Sequence, residues 1–340
     1  MMYSKISKKI FYGAAAMTAG VMLILTSCTE RYFESSGNGN VLTSMVGVPI
    51  EWSNASADTA GLVAANMKYL FIPSQTETSA TSTASGLSYV GFYSHFRGTL
   101  PVGSYSLLVY TSGIAGLTPV NDIQFEKAAV HAAPVHPAET GSTPDSEYFI
   151  APCGRFWAAS LEKTDVPATP VTTAAIHPRA FTSQIRLHIV NNAGLSIDSI
   201  SGIFRGLVTS RLLCSGQPDT PTVRGAYGFG CTPSGTTMPN TEFTSVFRTL
   251  GVYDPLSAEQ PYSNVLTLTA WLNYGKHIVT HVDVSEKIHD ALALVNAGTG
   301  SGLDTAIELT IILNTVTGNE ITATVSVKAW ENGGEIWQDI

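Results

Sequence analysis

The residues able to do chemistry are sparse, and their spacing suits little of it. Eight histidines are scattered along 340 residues. His131 and His136 share a Pro-rich stretch, without a cysteine or carboxylate at metal-ligand spacing. Asp145 and Glu147 stand two apart, which on a strand would put both carboxylates on one face. Nothing beside them supplies an acid–base partner, and a solvated loop is the plainer home. Gly228-Phe229-Gly230 and Gly298-Thr299-Gly300-Ser301-Gly302 lack the strand–loop–helix setting of a phosphate cradle. Trp52, Trp157, Trp271, Trp330 and Trp337 could stack on sugars, although core packing is the commoner use of Trp on strands. No catalytic constellation emerges, so neither an enzyme nor a bound metal or cofactor is expected.

Cysteine is where spacing carries chemistry. Lys5, Lys8 and Lys9 form a positive head, and from Ile10 to Leu25 no residue is charged. Leu25-Thr26-Ser27-Cys28 then places a thiol directly after small residues. A basic start, a short apolar run and a small-residue cut site make a secretory signal. The cysteine makes the pattern resemble the lipobox of bacterial lipoproteins, in which cleavage precedes the cysteine and the new terminus is acylated. Residues 1–27 are then a signal peptide, and Cys28 carries a covalent diacylglycerol and an acyl chain. The alternatives are a plain signal peptide or a spanning helix, but a span needs about 20 apolar residues and no basic stop-transfer cluster follows. At about 0.8 kcal/mol per buried methylene, two or three chains hold a protein on a membrane almost permanently. Residues 28–40 read as a tether, flexible at Ser35-Ser36-Gly37-Asn38-Gly39-Asn40. The remaining cysteines, Cys153, Cys214 and Cys231, are an odd set. Cys214 and Cys231 flank a Gly/Pro/Thr-rich stretch that a disulfide could close, export permitting one. The other reading, which we favour, is three free thiols packed as small hydrophobes.

Composition narrows the partners. The net charge is −8 and only 13% of residues are charged, against 44% hydrophobic. No basic patch with interleaved aromatics is present, so nucleic acid is excluded as a partner. With roughly 310 residues after the signal, about 100–200 residues per domain sets two domains as the expectation.

The elements that would carry these residues are short strands. Val46, Val48, Ile50 and Trp52 alternate onto one face of a strand within residues 41–52. Pro49 cannot donate to a ladder, which predicts that this strand lies at an edge and makes it a candidate assembly strand. Ile185, Leu187 and Ile189 alternate, as do Leu266, Leu268, Ala270 and Leu272, then Ile307, Leu309, Ile311 and Leu313, and finally Ile321, Ala323, Val325 and Val327. Ser285 is placed to cap a short helix carrying Ile288, Leu292 and Val295. Residues 209–242, rich in Gly, Pro and Thr, read as a loop or decorated hairpin. Pro167, Pro170 and Pro178 make residues 161–178 read as an extended linker. Many short strands with almost no helix predict an all-β chain of two antiparallel β-sandwich domains, at residues 41–165 and 166–340.

Several stretches now point one way. The first half holds Leu100-Pro101-Val102-Gly103-Ser104-Tyr105-Ser106-Leu107-Leu108-Val109-Tyr110. The second holds Gly202-Ile203-Phe204-Arg205-Gly206-Leu207 and Phe243-Thr244-Ser245-Val246-Phe247-Arg248-Thr249-Leu250-Gly251, and the chain ends on Val327-Lys328-Ala329-Trp330 and Ile336-Trp337-Gln338-Asp339-Ile340. Behind a lipobox and in this order, they make the chain resemble the fimbrillin-like family of Bacteroidales lipoproteins, above all its minor-fimbrium anchor branch. The resemblance runs from about residue 28 to the end. It implies transthyretin-like sandwiches, a surface location on the outer membrane, and assembly into a type V pilus with other fimbrial subunits. Assembly there proceeds by β-strand addition: a shaft subunit loses its first strand to an arginine-specific protease and accepts a neighbour's strand in the groove. Before Val41 the only arginine is Arg31, so a cut there would release the lipid and leave the strand. Arg97 falls in a predicted turn, but cutting there would remove more than one strand. The sequence therefore favours a membrane-held anchor or accessory subunit that keeps its first strand. A tip adhesin and a surface glycan-binding lipoprotein, with a host protein or glycan as partner, stay open. The loops at residues 74–86, 131–147 and 209–242 are the expected contact regions.

Overall fold

A computed structural model of the chain describes residues 42–52, 67–74, 86–120, 124–135, 147–219, 224–234, 242–255, 263–272, 275–298, 305–317 and 320–331. The signal, the tether and Cys28 lie outside the described residues, as do His136, Asp145, Trp337 and the loop at residues 75–85.

In chain order the first half forms β1 (Thr43–Pro49), β2 (Met67–Pro73), β3 (Leu87–Gly91), β4 (His95–Pro101), β5 (Gly103–Thr111), β6 (Leu117–Val120), β7 (Ala129–Ala132), β8 (Glu147–Phe149), β9 (Trp157–Val166), β10 (Val171–Thr172) and β11 (Arg179–Ala180). One sheet runs β10-β1-β4 and a second runs β11-β9-β5-β2-β3. Their facing side chains form a core: Val46, Val48 and Ile50 from β1, Phe96 and Leu100 from β4, Met67, Tyr69 and Phe71 from β2, Leu107 and Val109 from β5. The alternate residues of the second sheet, Leu70, Ile72, Leu108 and Tyr110, enter a different and larger core. A sheet buried on both faces has no polar face to alternate, which is why Met67–Pro73 reads as an almost unbroken apolar run.

That larger core belongs mainly to the second half. Here the elements are β12 (Ser183–Asn191), β13 (Ile197–Leu207), β14 (Ser210–Leu212), β15 (Arg224–Pro233), β16 (Glu242–Thr249), β17 (Val265–Leu272), β18 (His277–Asp283), α1 (Ser285–Gly298), β19 (Thr305–Thr317) and β20 (Glu320–Glu331). The strands follow the order β18-β17-β13-β15-β16-β12-β19-β20, with β8 beside β15. The ribbon curls until its ends meet, where Thr280 Oγ1 of β18 donates to the Ile321 carbonyl of β20 at 2.8 Å. The architecture is thus all-β and sandwich-like, as the alternation implies. The predicted inward faces of β12 and β19 are fully buried. A small sheet, β14-β7-β6, joins the halves.

Four expectations need correction. β1 is not at an edge: it lies between β4 and the short β10. Pro49 is tolerated because its side of the strand faces the break in β10, where only its carbonyl is used, by the Ile176 N–H at 3.0 Å. The supposed linker is strand over most of its first half, since β9 runs through Val166 and β10 pairs parallel with β1. Residues 209–242 contain β14 and the inner strand β15. Finally, Ser285 does not cap α1 with its own side chain. Asp283 Oδ1 accepts the Ser285 N–H at 2.9 Å, and Ser285 Oγ instead accepts the Asn264 N–H at 2.9 Å.

Candidate functional site

The most developed feature is the seat of β1. Its apolar knobs Val46, Val48 and Ile50 point into the smaller core. Against β4 the register is antiparallel, with Val46 opposite Gly98, Val48 opposite Phe96 and Pro49 opposite His95. Phe96 is the hub of the floor beneath it: its ring lies 5.2 Å from the rings of Tyr69, Phe71 and Tyr89. The Tyr69 hydroxyl donates to the Phe92 carbonyl at 2.6 Å, and burial pushes its pKa well above the usual phenol range. Both sides of β1 are hydrogen-bonded. Ile50 N–H reaches Ser94 O at 3.0 Å on one side, and Thr173 N–H reaches Gly47 O at 2.9 Å on the other. Trp52 continues the strand: its indole N–H donates to Tyr93 O at 2.8 Å, and its ring meets Trp157 edge-on at 5.5 Å. Chemically this is a slot for one extended segment, with apolar pockets at alternate residues and backbone donors and acceptors along two rims. In this structure the slot holds the chain's own strand. Arg97, expected in a turn, lies within β4 opposite Gly47, so its backbone is held in the ladder.

The other sequence candidates do not converge. Cys153, Cys214 and Cys231 are free thiols, so the pairing of Cys214 with Cys231 is not formed. Cys231 is buried, and burial pushes its thiol up to about 12. His131 sits in β7. Gly228 and Gly230 lie in β15, with no phosphate-type loop around them. Among the described residues no group of three His, Cys, Asp or Glu side chains could hold a metal ion. Of the tryptophans, Trp157 is buried, whereas Trp271 is 41% exposed on β17, with its ring 5.1 Å from that of His277 and its N–H on Ser201 Oγ at 3.2 Å.

The sequence reading missed one cluster. Arg179 of β11 and Arg211 of β14 both press on Gly216 at the junction of the two halves. They are 32 positions apart, Arg179 just past the stretch read as linker and Arg211 within the one read as a loop or decorated hairpin, and no local pattern links them.

The chain matches no protein-family model and no curated protein. Solved structures do match in fold. A protein from Bacteroides thetaiotaomicron, proposed to bind polysaccharide, superposes with a TM-score of 0.53 at 12% identity, covering 87% of this chain and 99% of that one. The fimbrial anchor protein Mfa2 from Porphyromonas gingivalis superposes at 0.50 and 12% identity, covering 86% and 99%. A proposed adhesin from Bacteroides ovatus superposes at 0.50 and 12% identity, covering 72% and 84%. The class is therefore an all-β sandwich protein. More narrowly, the fold is the one shared by these Bacteroidales fimbrial and adhesin-type proteins, as the fimbrillin-like resemblance implied.

Proposed function

We propose that the chain is a fimbrial anchor or accessory subunit, acylated at Cys28, held on the outer membrane and joined to other fimbrial subunits by β-strand addition. One observation carries the reading: β1 fills the groove that a shaft subunit would open, with Val46, Val48 and Ile50 buried and both rims bonded. A subunit that keeps this strand has no vacancy there for a donor, which suits the terminus of a fibre. Likeness of fold to a fimbrial anchor protein supports the same role. The sandwich domains at residues 41–165 and 166–340 are scaffold in this reading, and the work is association rather than catalysis. Intact mass and peptide mapping of the cell-derived protein test it. A lipidated Cys28 with residues 41–52 attached is expected, together with recovery of fimbrial subunits in pull-downs. A new N-terminus after an arginine, with the lipid lost, would instead make the chain a shaft or tip subunit.

A second reading, surface glycan binding, is favoured by the exposed Trp271 beside His277. It predicts glycan-array signals that disappear in Trp271→Ala; an array blank for the unaltered chain removes it.

A further inference from the structure

The Arg179–Arg211 cluster lies apart from the β1 slot and from Trp271. Arg211 donates Nε to the Leu250 carbonyl at 2.5 Å and Nη1 to the Gly216 carbonyl at 2.7 Å, so its guanidinium is fixed. Arg179 lies over the Phe181 ring, 5.6 Å from its centroid, and its guanidinium rests against Gly216. A Cβ on Gly216 would stand 2.6 Å from Arg179 Nη2, and one on Gly251 would stand 2.7 Å from Arg211 Nη2. Both glycines have positive φ, 67° and 104°. Two left-handed turns therefore make the room that the two guanidiniums occupy.

Among the described residues, that room holds positive charge without a counter-charge. No carboxylate among the described residues pairs with either arginine. Among the described residues, the titratable groups that act on them are Tyr253, Cys214 and the arginines themselves. Burial first, and then the neighbouring guanidinium, holds Arg211 down at about 10. Although the chain carries 26 acidic side chains and a net charge of −8, none of those among the described residues forms an ion pair here. Like charges gathered in a partly desolvated place are unfavourable unless something neutralises them. Arg179 is exposed and gives none of its five N–H groups to a protein acceptor among the described residues.

We propose that Arg179 and Arg211 form an oxyanion-binding site, with Arg179 as the open fork that grips a carboxylate or phosphate-class group and Arg211 as the fixed charge behind it. Planar forks of this kind bind such groups in bidentate fashion. The oxyanion comes either from solution or from a carboxylate on a docking chain.

Calorimetric titration of the full chain with inorganic phosphate at constant ionic strength tests the site. We expect one saturable site, weakened about tenfold or more in Arg179→Gln and partly kept in Arg179→Lys. Gly216→Ala, which puts a methyl where the Arg179 guanidinium lies, loses binding as well, whereas Arg97→Gln on the distant β4 keeps it. No saturable binding, or equal affinity in Arg179→Gln, overturns the proposal and leaves Arg211 as a tie between β14 and the end of β16. Competition by a short peptide with a free terminal carboxylate, but not by its amide, assigns the site to a chain-borne carboxylate. Phosphate binding untouched by either peptide assigns it to a free ion.

Discussion

A buried thiol such as Cys231 leaves a readable mark on the pH dependence of stability. Its partners are apolar, so burial disfavours the thiolate and raises its pKa from 9.0 to about 12. The unfolded chain releases this proton near 9.0, the folded chain only near 12. The stabilising contribution is therefore complete below 9.0 and is lost as pH rises through about 12. Arg211 acts in the opposite sense at higher pH. Its folded pKa of about 10 lies below its ordinary 12.5, so the folded state gains above 10. Tyr69, Tyr89, Tyr105 and Tyr227, raised from 10.0 by burial, act in the same sense as the cysteine as pH nears 10, so the difference between the parent and a cysteine variant isolates Cys231. We predict that urea-unfolding free energy falls across pH 9–10 and that Cys231→Val, close in volume, flattens that fall. An unchanged slope in the variant would contradict the burial argument. The same environment governs labelling: at pH 8 a thiol reagent should modify the half-buried Cys153 and Cys214 well before Cys231, because the thiolate is the reactive form.

Strands are legible where their two faces differ and obscure where they do not. β12, β17 and β19 alternate apolar and polar residues because one face meets the core and the other does not, and period-2 reading finds them. β15 was hidden in a Gly/Thr/Pro-rich stretch, although Tyr227-Gly228-Phe229-Gly230-Cys231 does alternate, with Phe229 and Cys231 buried and the glycines outward. Glycine count outweighed period there. Pro49 misled in another way: a proline forbids one hydrogen bond, not a neighbour, and β10 breaks where that bond would fall. The slot itself was half legible, since the inward residues of β1 are evident from alternation while its two partners, β4 and β10, are set by long-range pairing. Removal of β1 by deleting residues 43–50 should open the smaller core. Each lost Val or Ile contributes about 1.5–3 kcal/mol, so we expect ANS binding and a lowered melting temperature, reversed by the peptide of residues 43–50 added in trans. A deletion as stable as the parent would mean that the slot is not a strand acceptor. At the other end of the chain, Asp283→Ala removes the cap from α1 and should cost about 1 kcal/mol in denaturant unfolding, while Ser285→Ala should be felt through Asn264 rather than as lost helicity by circular dichroism.

At the scale of the molecule the two cores are not independent, because one sheet serves both. Leu107 and Leu108 are neighbours on β5, fully buried on opposite faces: Leu107 in the smaller core, Leu108 in the larger. Tyr69 and Leu70 do the same on β2. Unfolding the second half would strip cover from one face of this sheet and expose Leu70, Leu108 and Tyr110 to water, at about 25 cal/mol per Å² of apolar surface. The first half would then stand on a single three-stranded partner sheet. Such sharing makes separate melting costly. We therefore predict one cooperative transition in calorimetry, with equal calorimetric and van't Hoff enthalpies. Leu107→Ala and Leu108→Ala should each cost about 2–5 kcal/mol and move that same transition. Two resolved transitions, with Leu107→Ala shifting only one and Leu108→Ala only the other, would show that the sheet does not couple the halves. A coupled scaffold matters for the proposed role. Tension applied at an N-terminal anchor would load β1, and through β5 the load would pass to the larger core instead of peeling the first sandwich away alone.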